Sequence, residues 1–197
     1  QLLLPASAEA DEIVNQVTAI QLVRDLINLP ADELNPTRLA EEASQLAHSF
    51  EAEVSVIVGD DLLTEGFNTI HAVGRAADDA PRLIDIRWGD PAHPKVSLIG
   101  KGVCFDSGGL DIKPASGMRT MKKDMGGAAN VLGLAQLIMA SNLPVRLRVL
   151  VPAVENAISG NAYRPGDVIQ TYKGISVEVD NTDAEGRLVM CDALALA

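Results

Sequence analysis

Residues 146–154 read Arg-Leu-Arg-Val-Leu-Val-Pro-Ala-Val, a nearly continuous apolar run. A short run that does not alternate with polar residues predicts a strand covered by other elements on both faces. Two further strands are predicted upstream, at Arg82 to Trp88 and at Val96 to Ile99, with Gly89-Asp90-Pro91 as the turn between them. The domain is therefore expected to be built around a buried sheet.

Helical patterns alternate with these strands. Residues 9–29 have apolar positions at three- and four-residue spacing and end at Pro30, which predicts an amphipathic helix. A second helix should begin at Asn35 with Pro36 in its first turn, and a third, deeply buried one should follow Asp124. We therefore predict an α/β fold: a mainly parallel or mixed central sheet with helices on both faces.

The remaining segments are assigned more simply. Residues 54–58 predict a strand, residues 61–79 short helices, residues 100–119 a long glycine-rich loop and residues 156–174 a second loop. A last strand at residues 175–179 should be followed by a helix from Arg187 onward. The chain would then form one domain of 197 residues.

Charge and composition exclude several classes of function. The formal net charge of −11 is opposite to that of a nucleic-acid-binding surface and does not favour anionic membranes. No apolar run approaches the roughly 20 residues that span a bilayer. The two cysteines, Cys104 and Cys191, lie in apolar contexts and predict free buried thiols, which fits a reducing cytoplasm. Because the chain starts without Met and ends within an apolar helical pattern, we expect it to be part of a longer protein.

The segment Asn181 to Leu188, NTDAEGRL, concentrates charge directly after the last predicted strand. If it stays extended, Asp183, Glu185 and Arg187 point to the same side. Two carboxylates at the end of a buried strand favour a divalent metal ion as their partner. The alternative is a solvated polar loop.

Other catalytic patterns do not fit. Lys101 lies among glycines, but Gly102 stands where a phosphate-binding P-loop needs Ser or Thr. Ser107 lacks the glycine two positions before it that a nucleophile elbow requires. The three histidines, His48, His71 and His93, have no acid or cysteine cluster around them and are interpreted as structural or surface residues.

What remains is a set of acidic residues interleaved with basic ones. The acids are Asp106, Asp111, Asp124, Asp183 and Glu185, and the bases are Lys101, Lys113, Lys122, Lys123 and Arg187. Converging carboxylates repel each other unless cations lie between them, and a pair of bridged divalent ions is a known solution in aminopeptidases, phosphatases and nucleases. Such ligands suit Zn²⁺, Mn²⁺ or Mg²⁺, and the residues do not choose between them.

Three motifs in this order and spacing resemble the leucine aminopeptidase (cytosol aminopeptidase) family. They are GKGVCFDSGG at 100–109, MKKDMGGAA at 121–129 and NTDAEGRL at 181–188, the last being that family's signature. The segment NLPADELNP at 28–36 also resembles the start of the family's catalytic domain. The resemblance covers nearly the whole chain and implies a zinc-exopeptidase-like catalytic domain.

The resemblance also implies roles for individual residues. Asp106, Asp183 and Glu185 would hold one metal ion, and Lys101, Asp106, Asp124 and Glu185 the second, so that Asp106 and Glu185 bridge. Lys113 and Arg187 match the two catalytic positions, and Met121 and Asn181 match positions near the substrate. The implied cofactors are two divalent ions (Zn²⁺ or Mn²⁺, with Mg²⁺ as a further option) and a bicarbonate held by Arg187.

On this basis the protein is expected to be a cytoplasmic metallo-aminopeptidase that releases leucine and similar residues from peptides. Residues 1–197 would form the N-terminal part of the catalytic domain, with residues 1–30 as the helix leading into it. The family's N-terminal domain and C-terminal continuation lie outside the chain, and the full-length protein would be a homohexamer. Cys104 stands where the family often has Thr, and we interpret it as a packing residue. Two alternatives stay open: a two-metal phosphoesterase and a non-enzymatic assembly subunit.

Overall fold

The structure is a computed structural model that describes residues 10–197. Its main sheet contains five strands: β1 (Glu53–Val58), β2 (Arg82–Trp88), β3 (Lys95–Ile99), β4 (Gly102–Asp106) and β5 (Arg146–Asn156). The run at 146–154 forms most of β5, the longest strand, which pairs antiparallel with β2 on one side and parallel with β3 and β4 on the other. Because β1 also pairs antiparallel with β2, the sheet is mixed. The predicted fold class is confirmed.

Seven α-helices and two short 3-10 helices complete the described part of the chain. The α-helices are α1 (Ala10–Asn28), α2 (Pro36–Ser49), α3 (Asp61–Thr64), α4 (Asn68–Gly74), α5 (Ala115–Met118), α6 (Gly126–Ala140) and α7 (Glu185–Leu196). The 3-10 helices are Met121–Met125 and Thr182–Ala184. Asn35 caps α2 as predicted, since its side chain accepts a hydrogen bond from the amide of Arg38 over 2.8 Å. Residues 1–9 of the predicted leading helix lie outside the described residues.

The strand β5 packs against helices on both faces. Val149 and Val151 belong to a core shared with α1, α2 and α6. Leu150 and Val154 belong to a second core, shared with α3, α4 and α7. This two-sided burial explains why the strand is apolar at consecutive positions, as expected from its sequence.

Three predictions about the connecting segments were wrong. The loop predicted at 100–119 contains β4 and the short helix α5, and the loop predicted at 156–174 contains a short strand at 168–170. The strand predicted at 175–179 is shorter and does not join the main sheet: β7 (Ser176–Glu178) pairs antiparallel with β6 (Val168–Gln170) in a separate two-stranded sheet, and its side chains are largely exposed. The acidic segment after it therefore does not follow a buried strand.

No helix among the described residues is both long and apolar enough to cross a membrane.

Candidate metal centre

The candidate site lies at the carboxyl ends of β4 and β5, which is where ligands bind in open α/β sheets. Asp106 is the last residue of β4 and Asn156 the last of β5, and the two are register partners. Lys101 lies in the break between β3 and β4, which pair with successive parts of β5. The break brings a lysine and an aspartate from one short segment to the same end of the sheet.

Close packing holds Lys101 in this break. A Cβ atom on Gly100 would lie 2.5 Å from Cγ2 of Val131 and 2.8 Å from Cα of Ala128, so only glycine fits against helix α6. The carbonyl of Lys101 accepts a hydrogen bond from the amide of Ala128 over 2.8 Å. The lysine backbone is thus fixed to the first turn of α6, directly after the 3-10 helix that carries Asp124.

The segment with Asp183 and Glu185 does not stay extended, so the expected alternation of side chains was wrong. Asp183 lies in the second 3-10 helix, whereas Glu185 begins α7. Glu185 is consequently 2% exposed, while Asp183 and Arg187 are exposed to solvent. The three side chains therefore differ in exposure, whereas an extended strand would have placed them on one face.

Two lysines connect the acids into two groups. Nζ of Lys101 lies 2.7 Å from Oδ2 of Asp124 and 2.6 Å from Oε1 of Glu185. Nζ of Lys113 lies 2.8 Å from Oδ2 of Asp106 and also forms an ion pair with Asp183. The structure therefore gathers all five predicted metal ligands, together with Lys113, into one cluster.

Four carboxylates against two ammonium groups leave an excess of negative charge. Burial raises the pKa of Glu185 above its ordinary value, and the nearby Asp106 adds to this while Lys101 opposes it. Burial likewise raises the pKa of Asp124 against the effect of Lys101. Since both acids are harder to ionise here than in water, an additional cation at the cluster would be favourable.

Burial lowers the pKa of Lys101, but its contacts with Asp124 and Glu185 outweigh this and raise the net pKa. The same balance, with Asp106 and Asp183 as partners, raises the pKa of Lys113. Both amines are therefore charged in the metal-free protein. A lysine ligates metal only as a neutral amine, so metal binding at Lys101 would require the release of a proton.

The donor atoms fit a divalent metal ion. One ligand atom from each of Asp106, Asp124 and Glu185 lies within 4.8 Å of the other two. Oε2 of Glu185 is buried without a hydrogen-bond partner among the described residues, and Oδ2 of Asp124 contacts Lys101 only as an ion pair. Oxygen donors that are buried and incompletely satisfied are suited to coordinate a cation.

The remaining predicted site residues lie close in sequence to the predicted ligands Asp124, Asp183 and Glu185. Asn181 caps the second 3-10 helix by accepting a hydrogen bond from the amide of Asp183 over 2.7 Å. Asn181 and Arg187 line one surface groove, and the five predicted ligands are not among its lining residues. Met121 is half-buried and begins the 3-10 helix that carries Asp124.

Three other charged residues of the predicted set are not brought into the cluster. Asp111 accepts hydrogen bonds from the amide and hydroxyl of Thr182, over 2.7 and 3.2 Å. Lys122 donates to the carbonyl of Asn28, and Lys123 is exposed. Asp111 and Lys122 thus join distant parts of the chain without entering the ion pairs of the cluster.

Sequence reasoning missed two uncharged residues that contact the site. Asn156 and Tyr163 both donate to the carbonyl oxygen of Thr182, over 3.0 and 2.6 Å. Both side chains are buried, and burial raises the pKa of Tyr163, so its hydroxyl keeps the proton it donates. The one available signal was position, because Asn156 lies two residues after the end of the apolar run at 146–154.

Comparison with known proteins agrees with the motifs. A family model described as "Cytosol aminopeptidase family, catalytic domain" matches residues 21–197. The chain belongs to the cytosol aminopeptidase family. A probable cytosol aminopeptidase from Roseiflexus castenholzii is 46% identical over 180 residues, which is 90% of this chain and 37% of the relative.

Several solved structures have the same fold as this chain. A crystal structure of cytosol aminopeptidase from Coxiella burnetii has a TM-score of 0.94 and 57% identity, covering 96% of this chain and 41% of that one. Leucyl aminopeptidase from Trypanosoma brucei, solved in complex with bestatin, has a TM-score of 0.92 and 40% identity. The match covers 96% of this chain and 37% of that one. A bottromycin maturation enzyme in complex with Mn has a TM-score of 0.92 and 38% identity, covering 99% and 43%. The chain thus spans about two fifths of the length of these cytosol aminopeptidase relatives.

Proposed function

We propose that the protein containing this chain is a metal-dependent aminopeptidase that releases N-terminal residues such as leucine from peptides. The observation that carries the proposal is a cluster of three acids, Asp106, Asp124 and Glu185, in a chain of the cytosol aminopeptidase family. Lys101 forms an ion pair with Glu185, and Lys113 forms one with Asp106. The Mn complex of a related enzyme supports a divalent cofactor of this kind.

Five residues would hold the metal ions: Lys101, Asp106, Asp124, Asp183 and Glu185. We propose two ions by analogy with the family. Added positive charge would be favourable in the cluster, because its four carboxylates contact only two ammonium groups. Zn²⁺ and Mn²⁺ are the proposed ions, and Mg²⁺ is compatible with the same oxygen donors. When bound, they supply Lewis acidity and make a water molecule nucleophilic at neutral pH.

Lys113 is the proposed electrostatic catalyst. A lysine side chain is ordinarily protonated at neutral pH, so the ammonium group of Lys113 can stabilise negative charge that develops on the carbonyl oxygen of the cleaved peptide bond. Unlike Lys101, it is not a proposed ligand and need not lose its proton when metal binds.

Arg187 is proposed to hold bicarbonate, which would accept a proton during the reaction. A guanidinium stays protonated and can bind a planar anion through two hydrogen bonds, but it cannot itself act as a base. Its exposed position in the groove shared with Asn181 leaves it accessible to a small anion and to substrate. Met121 and Asn181 are proposed to contact the substrate.

The test is hydrolysis of leucine amide by the full-length protein with Mn²⁺ or Zn²⁺. We expect release of leucine and no turnover of N-acetyl-leucine amide. Acetylation converts the α-amine into an amide, which can neither ligate a metal ion as an amine nor carry a positive charge to the acidic cluster. Glu185→Gln should abolish activity, whereas Glu65→Gln, at an exposed position after α3, should retain it. Turnover of p-nitrophenyl phosphate without leucine release would instead identify a phosphoesterase.

We further propose that residues 1–197 form the N-terminal part of the catalytic domain of a cytoplasmic homohexamer. The names of the cytosol aminopeptidase relatives support the compartment. Exposed apolar residues on α1, namely Val14, Val17 and Ile20, offer a surface that another subunit or domain could cover. Light scattering of the full-length protein tests the assembly, since six copies are expected and a monomer would contradict the proposal.

A further inference from the structure

Asn156 is placed to control the geometry of the acidic cluster, although it carries no charge. It is the last residue of β5, has no exposed surface and stands opposite Asp106 in the sheet register. Its Nδ2 atom donates to Oδ1 of Asp106 over 2.8 Å and to the carbonyl oxygen of Thr182 over 3.0 Å. Both partners are acceptors, which fixes the orientation of the amide group.

These bonds determine which carboxylate oxygen of Asp106 faces the ammonium group of Lys113. Oδ1 accepts from Nδ2 of Asn156 and from the amide of Gly108, over 2.8 and 2.9 Å. The other oxygen, Oδ2, lies 2.8 Å from Nζ of Lys113. Asn156 therefore holds the carboxylate of Asp106 in one rotation, with a single oxygen directed at the cluster.

The second bond connects two parts of the site that are distant in sequence. Thr182 directly precedes Asp183 and lies in the same 3-10 helix, which leads into Glu185. By binding both Asp106 and the Thr182 carbonyl, Asn156 sets the position of the strand-borne acid relative to the two later ones. Tyr163 contacts the same carbonyl over 2.6 Å but does not contact Asp106 through a described hydrogen bond.

The side-chain amide of Asn156 is also not the group that would make the folded state most stable at this position. Its Oδ1 atom is buried without a hydrogen-bond partner among the described residues, and a Cβ on Gly109 would lie 3.0 Å from it. A buried acceptor without a partner is unfavourable, and an apolar side chain of similar size avoids that cost. An Asn with this unpaired acceptor fits a role in orienting ligands better than a role in stability alone.

We propose that Asn156 is a positioning residue of the metal centre, which orients Asp106 and sets its distance from the segment that carries Asp183 and Glu185. The inference rests on the proposed metal-dependent function. Groups that orient metal ligands typically change metal affinity or activity about 10–100-fold when they are removed. Asn156 should therefore affect metal binding beyond any effect on folding.

The experiment compares Asn156→Leu with Tyr163→Phe in the full-length protein. Tyr163→Phe is the matched control because it removes one donor to the Thr182 carbonyl and leaves the bonds to Asp106 intact. Isothermal titration calorimetry gives the Mn²⁺ dissociation constant, and calorimetric melting gives the stability of the metal-free protein. Asn156→Leu is expected to raise the dissociation constant about 10–100-fold. Tyr163→Phe should raise it much less while lowering the melting temperature at least as much.

Activity provides a second readout. With leucine amide as substrate, excess Mn²⁺ should restore part of the lost kcat of Asn156→Leu and leave KM near the wild-type value. If Asn156→Leu does not fold, Asn156→Ala removes the same donor without adding volume and serves in its place.

Three results would overturn the proposal. Folded Asn156 variants could bind Mn²⁺ as tightly as wild type, or Tyr163→Phe could weaken binding as strongly as Asn156→Leu. In both cases wild type still binds Mn²⁺, so only the role of Asn156 is rejected. If wild type itself neither binds Mn²⁺ nor releases leucine, the proposed function is rejected together with it.

Discussion

Nζ of Lys101 lies 2.6 Å from Oε1 of Glu185, although the two residues come from distant parts of the chain. The lysine enters from the break before β4, and the glutamate begins α7. The next residue is Gly186, where a Cβ atom would lie 3.2 Å from the same Nζ. The absence of a side chain at Gly186 therefore provides the space through which Lys101 reaches the buried carboxylate of Glu185.

The first prediction concerns the proton on Lys101. Because contacts with Asp124 and Glu185 raise its pKa in the metal-free protein, the amine must lose a proton before it can ligate. Mn²⁺ affinity should therefore increase with pH, by about tenfold per unit for each proton released. Lys101→Arg, which cannot deprotonate, should bind more weakly and release one proton fewer.

Calorimetric titrations in two buffers of different ionisation enthalpy measure this proton release. Lys123→Arg, at an exposed position, should behave as wild type. Equal heats in both buffers for the wild-type protein would exclude Lys101 as a ligand that gives up its proton.

The second prediction separates Lys113 from the ligands. Lys113→Ala should reduce kcat for leucine amide about 10²–10³-fold, because it removes a charge that stabilises the developing oxyanion. Mn²⁺ should still bind, since the acids remain and lose a competing ammonium group. Steady-state kinetics at saturating Mn²⁺ measure the effect, with Lys123→Ala as control. An unchanged kcat would assign Lys113 to ion pairing alone.

The third prediction is metal-dependent stability. Removal of metal with EDTA should lower the melting temperature, because it leaves an excess of carboxylates around Lys101 and Lys113. Mn²⁺ at a hundred times its dissociation constant should stabilise the fold by about 2.7 kcal/mol. Differential scanning calorimetry should show the shift in wild type and Glu65→Gln but not in Glu185→Gln. A shift of equal size in Glu185→Gln would place the ion elsewhere.

The fourth prediction tests the packing that positions Lys101. Gly100→Ala should lower the free energy of unfolding by about 1–3 kcal/mol, because the new methyl group would overlap Val131 and Ala128 on α6. Gly160→Ala is the matched control, since its new methyl group would have no neighbouring atom within 4 Å. Urea denaturation of the metal-free proteins measures both. Equal stability of the two variants would show that α6 can move away from the break at no cost.

The sequence predicted most of the main sheet and its large helices because their patterns are local. The apolar run of β5 and the Asn35 cap of α2 each have a direct physical cause within a few residues. Strand β4 was missed because glycines at 100 and 102 are typical of loops. Gly102 nevertheless begins the strand, where it packs closely against β5. Such contacts between distant segments leave no periodic signal.

The candidate site likewise combines residues that the sequence pattern predicted with one whose contacts only the fold brings together. Its charged members were predicted from motifs, and the structure brings Lys101, Asp106 and Glu185 together through three different elements. The reason first given for grouping Asp183 with Glu185, an extended strand, was wrong, because a 3-10 turn intervenes. Asn156 went unnoticed because a neutral amide does not disturb the charge pattern.

Strand β5 also limits how early the main sheet can form while the chain is being synthesised. Strands β2, β3 and β4 all pair with it, so none of those pairings can form before residues 146–156 have left the ribosome. The acids at 106 and 124 are likewise synthesised well before Glu185, which is the first residue of α7. Long-range pairings of this kind slow folding. If the proposed site is right, a nascent chain that binds metal through all of these acids has therefore already paired β5 with its neighbours and begun α7.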